Sequence, residues 1–338
     1  MNMPATEAVR VVLDAMGGDR GPEVNVEGAV TAAREFGTAV TLVGKEEVLR
    51  QHLRQHDTRG LPLTIRHAPE AVEMGESPLA ALRRKKHSSI RIGIDLVKQG
   101  EADAFVSAGN TGAVMATALV VLGPLPGVER PAIAVGLPTL TGYAILLDAG
   151  ANAECKARHL VQFAIMGNVY ARDILGLPRP RVGLLSIGEE ESKGNELTRE
   201  AFKELEEEPS LNFLGNVEGR DVFSGNFDVI VCDGFTGNVA LKISESVLDT
   251  LLHLLREEFG QDLRGKAGSL LLVPAFRRFK KRVDPSEFGG APLLGVDGVC
   301  IISHGRSTGK AIKNALRAAG ECAANKVVQH IREGIALG

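Results

Sequence analysis

Short apolar runs that end in glycine or in small polar residues recur along the chain, and stretches with helical spacing lie between them. A short apolar run predicts a buried strand, and apolar positions that recur every three or four residues predict a helix with one buried face. The predicted strands are residues 9–13, 39–43, 64–67, 104–107, 132–137, 143–148, 181–187 and 229–233. The predicted helices are residues 22–36, 45–56, 88–99, 113–121, 156–174, 196–206 and 243–259.

Strands that alternate with helices predict a mostly parallel sheet with helices on both of its faces. We therefore expect a three-layer α/β/α fold formed by a single catalytic domain over residues 1–338, because no linker or repeat interrupts the pattern. A threonine-glycine turn separates the strands at 132–137 and 143–148, which predicts an antiparallel pair. A helical hairpin over residues 240–290 is expected to protrude from this domain.

Composition and charge exclude several classes of function. Of the 338 residues, 44% are hydrophobic and 24% are charged, which is typical of a globular protein. The net charge is -3, tryptophan is absent and tyrosine occurs twice, so a nucleic-acid site built on aromatic stacking is not expected. The four cysteines are far apart, which predicts neither a metal site nor a disulfide framework. We expect a cytoplasmic protein, because the sequence has neither an apolar signal segment nor an apolar run long enough to span a bilayer.

Four strand ends share one design, in which an apolar strand runs into a small polar loop and then into a helix. The loops are residues 14–19, 107–113, 148–152 and 233–238. Glycine lets the backbone approach a ligand closely, and a helix N-terminus offers unpaired N–H groups and the positive end of a dipole. We expect these loops to converge on one pocket for a phosphate or an oxyanion, because ligands bind beyond the carboxyl ends of strands in such sheets. The alternative is that each loop is an ordinary tight turn with a capping residue.

The candidate phosphate-binding residues would supply hydroxyl, amide or backbone N–H groups from those loops. They are Ser107, Asn110, Thr111, Gly112, Asn152, Thr236 and Asn238. No P-loop and no G-x-G-x-x-G pattern follows a predicted strand, so no nucleotide cofactor is expected. Neither a nucleophile elbow nor a cysteine–histidine pairing indicates a covalent nucleophile.

Two further loops carry the catalytic candidates. Lys193 stands beside a glycine in the loop after the strand at 181–187, where it would supply positive charge to a phosphate or to a developing oxyanion. His304 follows an apolar run and precedes a helix, where it would act as a general acid or base or donate to phosphate. The alternatives that stay open are an exposed lysine in an acidic loop and a structural histidine that caps its turn.

The predicted hairpin combines an apolar helix face with a run of positive charge. Apolar positions over 243–259 predict packing against the body of the protein or a partner subunit. The apolar stretch 269–276 is the expected tip, a basic cluster follows it, and residues 263–283 contain no acidic residue. The candidate contact residues are Leu271, Leu272, Phe276, Arg277, Arg278, Lys280 and Lys281. This pattern predicts peripheral contact with an anionic membrane or an acidic carrier protein, and the alternative is a core helix with a solvated basic flank.

The loop motifs resemble those of one known family in their order and over almost the whole chain. They lie at residues 14–19, 84–86, 88–89, 102–104, 107–113, 130–133, 147–152, 193–195, 233–238 and 289–295. On these residues the chain resembles the bacterial phosphate acyltransferases of phospholipid synthesis, the PlsX family. The resemblance implies transfer of a fatty acyl group from an acyl-carrier-protein thioester to inorganic phosphate. It also implies a homodimer with a fold similar to isocitrate and isopropylmalate dehydrogenases and to phosphotransacetylase.

The implied partners are acyl-carrier protein, inorganic phosphate, a second copy of the chain and a membrane glycerol-phosphate acyltransferase that takes the product. This chemistry agrees with the polar loops, because phosphate is already an anionic nucleophile and needs no activated serine or cysteine. The runner-up is a phosphotransacetylase-like enzyme that uses a coenzyme A thioester. A metal-dependent hydroxyacid dehydrogenase of the related fold comes third, and a membrane-bound scaffold without catalysis represents a different class.

Overall fold

A computed structural model describes residues 9–261 and 263–337, and one sheet of eleven strands runs through this part of the protein. The strands are β1 Arg10–Asp14, β2 Ala39–Gly44, β3 Leu63–His67, β4 Ala104–Ser107, β5 Ala132–Pro138, β6 Tyr143–Leu147, β7 Arg181–Leu185, β8 Asn212–Val217, β9 Val229–Val231, β10 Ala291–Leu294 and β11 Val299–Ile302. The helices are α1 Gly21–Phe36, α2 Glu46–Leu53, α3 Pro78–Arg84, α4 Ser89–Lys98, α5 Thr111–Val121, α6 Ala157–Leu175, α7 Glu196–Glu206, α8 Gly234–Gly260, α9 Leu263–Val283, α10 Gly309–Ala324 and α11 Val327–Leu337.

The strand order across the sheet is β3–β2–β1–β4–β11–β10–β5–β6–β9–β7–β8. Pairing is antiparallel where β10 meets β11 and β5, and where β5 meets β6. The other described pairs are parallel. As a result β1, β4 and β11 run in one direction, whereas β6, β9 and β7 run in the opposite direction.

Successive residues of β1 point to opposite faces of the sheet and show what covers each face. Val11 and Leu13 belong to an apolar cluster that includes residues of α1, α6 and α10. Val12 belongs to a second cluster with residues of α4 and α5. Both faces are therefore buried under helices, and the predicted three-layer α/β/α fold is confirmed.

The predicted antiparallel pair is confirmed as β5 and β6, in which Ala134 lies opposite Leu147. The threonine-glycine turn between them is closed by a hydrogen bond from the Gly142 N–H to the Thr139 hydroxyl at 3.1 Å. The sequence analysis places no element at α3, β8, β10 or α11. Strand β10 follows Gly289 and Gly290, which both have positive φ angles. It has only four residues, too few to show the periodicity that predicts a strand.

The hairpin consists of α8 and α9, and its bounds differ from the predicted ones. Helix α8 starts at Gly234 and has 27 residues, whereas α9 ends at Val283, before the short 3₁₀ turn at Pro285–Glu287. The prediction that residues 269–276 form the tip is wrong, because they lie inside α9 and the two helices meet near residue 261. Apolar spacing alone did not distinguish a tip from a mid-helix face. No helix among the described residues is long and apolar enough to cross a membrane.

Candidate active site

The loops after β1, β4 and β11 lie together, and we call residues 14–19, 107–112 and 303–307 the first loop group. The Asp19 N–H donates to the Gly305 carbonyl at 2.8 Å. A Cβ added to Gly17 would lie 2.7 Å from the Gly109 nitrogen, so only glycine permits this approach. The three loops therefore form one packed unit.

Asp14 organises the first loop group from inside. The Ser107 hydroxyl donates to its carboxylate at 2.7 Å and accepts from the Gly109 N–H at 3.0 Å. Burial raises the pKa of Asp14, although the hydrogen bonds from Ser89 and Ser107 oppose that rise. The Ser107 hydroxyl is therefore engaged in holding the loop, and its side chain is fully buried.

Asn110 caps α5 and ties a neighbouring loop to it. Its amide oxygen accepts from the Ala113 N–H at 3.0 Å, and its amide NH₂ donates to the carbonyls of Met74 and Glu76 at 2.9 Å each. The side chain of Asn110 thus has its donors and its acceptor in use. Thr111 is exposed, and the N–H groups of Thr111 and Gly112 at the helix N-terminus have no partner within the described part of the chain.

His304 has the geometry of a turn-capping histidine. Its Nδ1 accepts from the Arg306 N–H at 3.1 Å, and its carbonyl accepts from the Ser307 N–H at 2.9 Å. The imidazole is exposed, so Nε2 stays available to solvent or to a ligand. The structural alternative of a turn-capping histidine is therefore present, and Nε2 is left to bind a ligand or to transfer a proton.

The loops after β6, β7 and β9 are adjacent in the sheet, and we call residues 148–155, 186–195 and 233–238 the second loop group. Asp148 organises it: its carboxylate accepts from the N–H groups of Ile133, Ala151 and Asn152 at 3.1, 2.8 and 2.8 Å. The Asn152 amide donates to the same carboxylate at 2.9 Å and to the Pro131 carbonyl at 2.7 Å. Burial raises the pKa of Asp148, against the effect of these hydrogen bonds.

Helix α8 starts within the second loop group. Its capping residue Asp233 accepts from the Thr236 N–H at 2.8 Å and from the Thr236 hydroxyl at 2.7 Å. The Gly234 N–H donates to the Asn152 carbonyl at 2.7 Å, which joins the β6 loop to the helix start. A Cβ on Gly237 would collide with the Asp148 carbonyl, so the sequence needs glycine there.

Three polar side chains in this region have no hydrogen-bond or ion-pair partner among the described residues: Asn238, Lys193 and Arg130. Asn238 is half-buried against Gly150, and no described residue accepts or donates a hydrogen bond to its side chain. Lys193 and Arg130 are exposed, and neither forms an ion pair with another described residue. Arg130 is not among the predicted site residues; it lies just before the strand whose Ile133 N–H donates to Asp148, and its charge acts on the nearby Cys155.

The two loop groups lie along one helix. Helix α5 begins in the first group at Asn110, and its Val114 and Ala118 share an apolar cluster with Ala149 of the second group. A helix of 11 residues is about 16 Å long. No hydrogen bond among residues 9–261 and 263–337 joins the groups directly. The seven phosphate-binding candidates are therefore divided, with Ser107, Asn110, Thr111 and Gly112 in the first group and Asn152, Thr236 and Asn238 in the second.

The hairpin candidates differ in exposure. Leu271 is 84% exposed, and Arg277, Arg278, Lys280 and Lys281 are exposed as well. Phe276 instead packs edge-to-face on Phe259 of α8, with ring centroids 5.6 Å apart. Phe276 therefore holds the two helices of the hairpin together.

Comparison with known proteins identifies the family. The sequence profile of the fatty acid synthesis protein family (FA_synthesis) matches residues 9–330. The chain belongs to this family. A phosphate acyltransferase of Geobacter sulfurreducens is 55% identical over 325 residues, which cover 96% of this chain and 94% of that protein. The resemblance to the PlsX family is therefore confirmed.

Solved structures with low sequence identity share the fold of this member of the FA_synthesis family. A phosphotransacetylase from Streptococcus pyogenes has a TM-score of 0.62 at 19% identity, over 94% of this chain and 95% of that one. A 4-hydroxythreonine-4-phosphate dehydrogenase from Klebsiella pneumoniae has a TM-score of 0.52 at 14% identity, over 95% and 99% of the two chains. The predicted likeness to dehydrogenase and phosphotransacetylase folds is confirmed.

Proposed function

We propose that this chain transfers a fatty acyl group from an acyl-carrier-protein thioester to inorganic phosphate. A phosphate oxygen forms a bond to the thioester carbonyl carbon, and the carbon–sulfur bond then breaks. The products are acyl-phosphate and the carrier thiolate, which takes up a proton. The observation that carries the proposal is the 55% identity to a phosphate acyltransferase over 96% of the chain. The acyl-phosphate would pass to a membrane glycerol-phosphate acyltransferase.

The second loop group offers the groups that this reaction needs. The amide of Asn238 in the first turns of α8 is free to donate, Lys193 adds positive charge from the loop after β7, and Arg130 lies close enough to Cys155 to oppose the rise in the Cys155 pKa. These groups would bind phosphate and stabilise the negative charge that develops on the carbonyl oxygen. Asn152 and Thr236 would shape the loops, because their side-chain donors already bind Asp148, Pro131 and Asp233.

The first loop group supplies a second anion-binding position in this proposal. The free N–H groups of Thr111 and Gly112 lie at the N-terminus of α5, and the exposed Nε2 of His304 would donate a hydrogen bond to an anion bound at these loops. Ser107 and Asn110 would act indirectly, by holding these loops in shape.

Exposed apolar side chains border the second loop group and suit a fatty acyl chain. Ile187 in the loop after β7 is 81% exposed, and Phe235 in the first turn of α8 is 67% exposed. Such side chains gain free energy when an alkyl chain covers them, at about 25 cal/mol per Å² of buried apolar surface.

A thiol-release assay tests the function. With long-chain acyl-carrier protein we expect carrier thiol to appear only when phosphate is present, with one acyl-phosphate formed for each thiol. Acyl-coenzyme A offered beside it should give a kcat/KM that is lower by about tenfold or more, because the carrier contacts are then lost. Thiol release that is indifferent to phosphate would exclude the transferase. Equal or better use of acyl-coenzyme A would favour the phosphotransacetylase-like alternative, which shares the fold.

A second copy of the chain would cover the exposed face of α8. Ile243, Val247 and Leu251 lie at intervals of four residues, and each is 52–58% exposed. An apolar stripe of this kind is typical of a helix that packs against a partner. We therefore include a homodimer through α8 in the proposal.

The basic side of α9 would hold the protein at an anionic membrane from the cytoplasm. Leu271 and Leu272 would insert at the headgroup level, and Arg277, Arg278, Lys280 and Lys281 would lie over the lipid phosphates. Each cation near such a surface contributes about 1 kcal/mol, so reversal of all four charges should weaken vesicle binding by about a thousandfold or more.

Vesicle flotation measures this effect. Wild-type protein should float with vesicles that contain phosphatidylglycerol, whereas the variant Arg277→Glu, Arg278→Glu, Lys280→Glu, Lys281→Glu should stay in the dense fraction. Vesicles of phosphatidylcholine alone serve as the control, because they lack the negative surface potential. Unchanged flotation of the variant would show that these cations do not hold the membrane.

A further inference from the structure

A hollow of about 690 Å³ opens between the N-terminal ends of α6 and α7. One wall carries residues 155–158, with Cys155, Lys156 and Arg158 among them, and the other carries Asn195, Glu196, Leu197, Glu200 and Glu204. Small-molecule sites in proteins have volumes of roughly 300–1,000 Å³. The hollow is therefore large enough for an organic ligand and far larger than a phosphate ion needs.

The hollow borders the second loop group. Cys155 lines it, and the Cys155 thiol lies 3.6 Å from the carbonyl of Asn152. Burial raises the pKa of Cys155 to about 11, and the nearby carboxylates of Asp148 and Asp233 add to that rise. A ligand in the hollow would therefore have one end next to the loops that surround Asn238.

The side chains that line the hollow indicate the chemistry of its ligand. Glu200 and Glu204 present carboxylates that accept hydrogen bonds, and burial, together with Glu200, raises the pKa of Glu204. Lys156 and Arg158 present positive charge on the opposite wall; the Arg158 side chain is 69% exposed, and its Nε pairs with the Glu129 carboxylate at 3.3 Å, which leaves its other N–H groups for a ligand. An alkyl chain does not suit charged walls, and a free phosphate does not suit three carboxylates, since Glu196 also lines the hollow. A slender molecule with amide N–H donors and one anionic end suits both walls.

We propose that this hollow receives the phosphopantetheine arm of the carrier thioester. The thioester end would lie beside Cys155, the amide groups would face Glu200 and Glu204, and the phosphodiester would meet Arg158 at the rim. The assignment rests on the proposed acyl transfer and adds the path by which the thioester reaches the second loop group. The arm is common to acyl-carrier protein and coenzyme A, so the site binds whichever molecule carries it.

Cys155 reports on the occupancy of the hollow, because Cys232, Cys300 and Cys322 are buried. A small maleimide should label Cys155, with a rate that climbs as the pH rises towards the thiol pKa of about 11. Carrier protein bearing the arm with its thiol capped by methylation should slow this labelling about tenfold at ten times its Kd. Apo-carrier, which lacks the arm, should leave the rate unchanged. The variant Cys155→Ser confirms the labelled position.

A bulky substitution tests the same idea through kinetics. Glu200→Trp places an indole in the hollow, and we expect it to raise KM for the acyl-carrier thioester about tenfold while KM for phosphate stays within about twofold. Glu206→Trp is the matched control, because Glu206 is an exposed residue of α7 outside the hollow.

Two results would overturn the assignment. One is equal protection of Cys155 by apo-carrier and by the capped arm, and the other is a normal thioester KM in Glu200→Trp. Either result leaves phosphate-dependent thiol release by the wild-type protein intact. These results would therefore show that the arm binds elsewhere, without contradicting the proposed acyltransferase function.

Discussion

Replacing Asn238 by alanine should lower kcat by about 100- to 1,000-fold, the loss measured when one donor to a developing oxyanion is removed. Asn238 lies in the first turns of α8 against Gly150, and its amide has no partner among the residues that the structure describes. Because the amide stabilises nothing in the folded protein, its removal should leave the unfolding midpoint in urea within error of wild type. Steady-state thiol release at saturating acyl-carrier protein and phosphate measures the effect.

Two variants make the Asn238 result specific. Asn238→Asp keeps the shape but replaces a donor by a negative charge, so it should be at least as slow as the alanine variant. Asn226→Ala removes an exposed amide in the loop before β9, away from the second loop group, and should keep wild-type kcat. A kcat within about threefold of wild type in Asn238→Ala would show that this amide does not stabilise the transition state. Thr111, Gly112 and His304 would then be the remaining candidates for that role.

The sequence predicted the layers of the fold because the signal for them is local. Buried strands such as β1 and β4 are short unbroken apolar runs, and helices such as α6 repeat apolar residues at helical spacing. The direction of β6, β9 and β7 depends on how β10 inserts between β11 and β5. The pairing of β10 with β5 joins residues more than 150 positions apart, and no local pattern encodes it.

The candidate site was predicted in its loops but not in the roles of its side chains. Glycine residues after the predicted strands identified every loop of both groups, because two backbone segments can approach each other closely only where one of them has glycine. Whether a polar side chain holds the loop or faces a ligand depends on its partners. Ser107 and Asn110 are engaged by Asp14 and by the carbonyls of Met74 and Glu76, and those contacts come from distant segments.

The expectation that all the loops share a single pocket depends on the directions of the strands. Strand ends converge only when the strands run in the same direction, and the antiparallel pair of β5 and β6 reverses the second half of the sheet. The threonine-glycine turn predicts that pair, but it does not show at which edge of the sheet the later loops lie.

Replacing Asp148 by alanine should destabilise the protein by about 2–5 kcal/mol, because an unsatisfied buried donor costs about 1–3 kcal/mol, and this is a large part of the 5–15 kcal/mol typical of a folded domain. Its carboxylate accepts three backbone N–H groups and one side-chain amide, and the residue is fully buried. Removal of the acceptor would leave buried donors at Ile133 and Ala151 without partners. Urea unfolding followed by circular dichroism measures the loss. Activity should fall as well, because the same carboxylate sets the position of Asn152 at the start of the second loop group.

The pH dependence of this loss tests whether burial of the Asp148 carboxylate outweighs the hydrogen bonds that it accepts. Because the pKa of Asp148 is raised above its ordinary value of 3.8, the native state takes up a proton before the unfolded state does as the pH falls. The native state then binds more protons than the unfolded state, so wild-type stability gains relative to Asp148→Ala between neutral pH and about 4. Asp14, whose pKa is also raised by burial, is present in both proteins, and its effect cancels in the difference. A stability difference that shrinks on acidification would mean that the hydrogen bonds to Asp148 outweigh its burial and hold its pKa low.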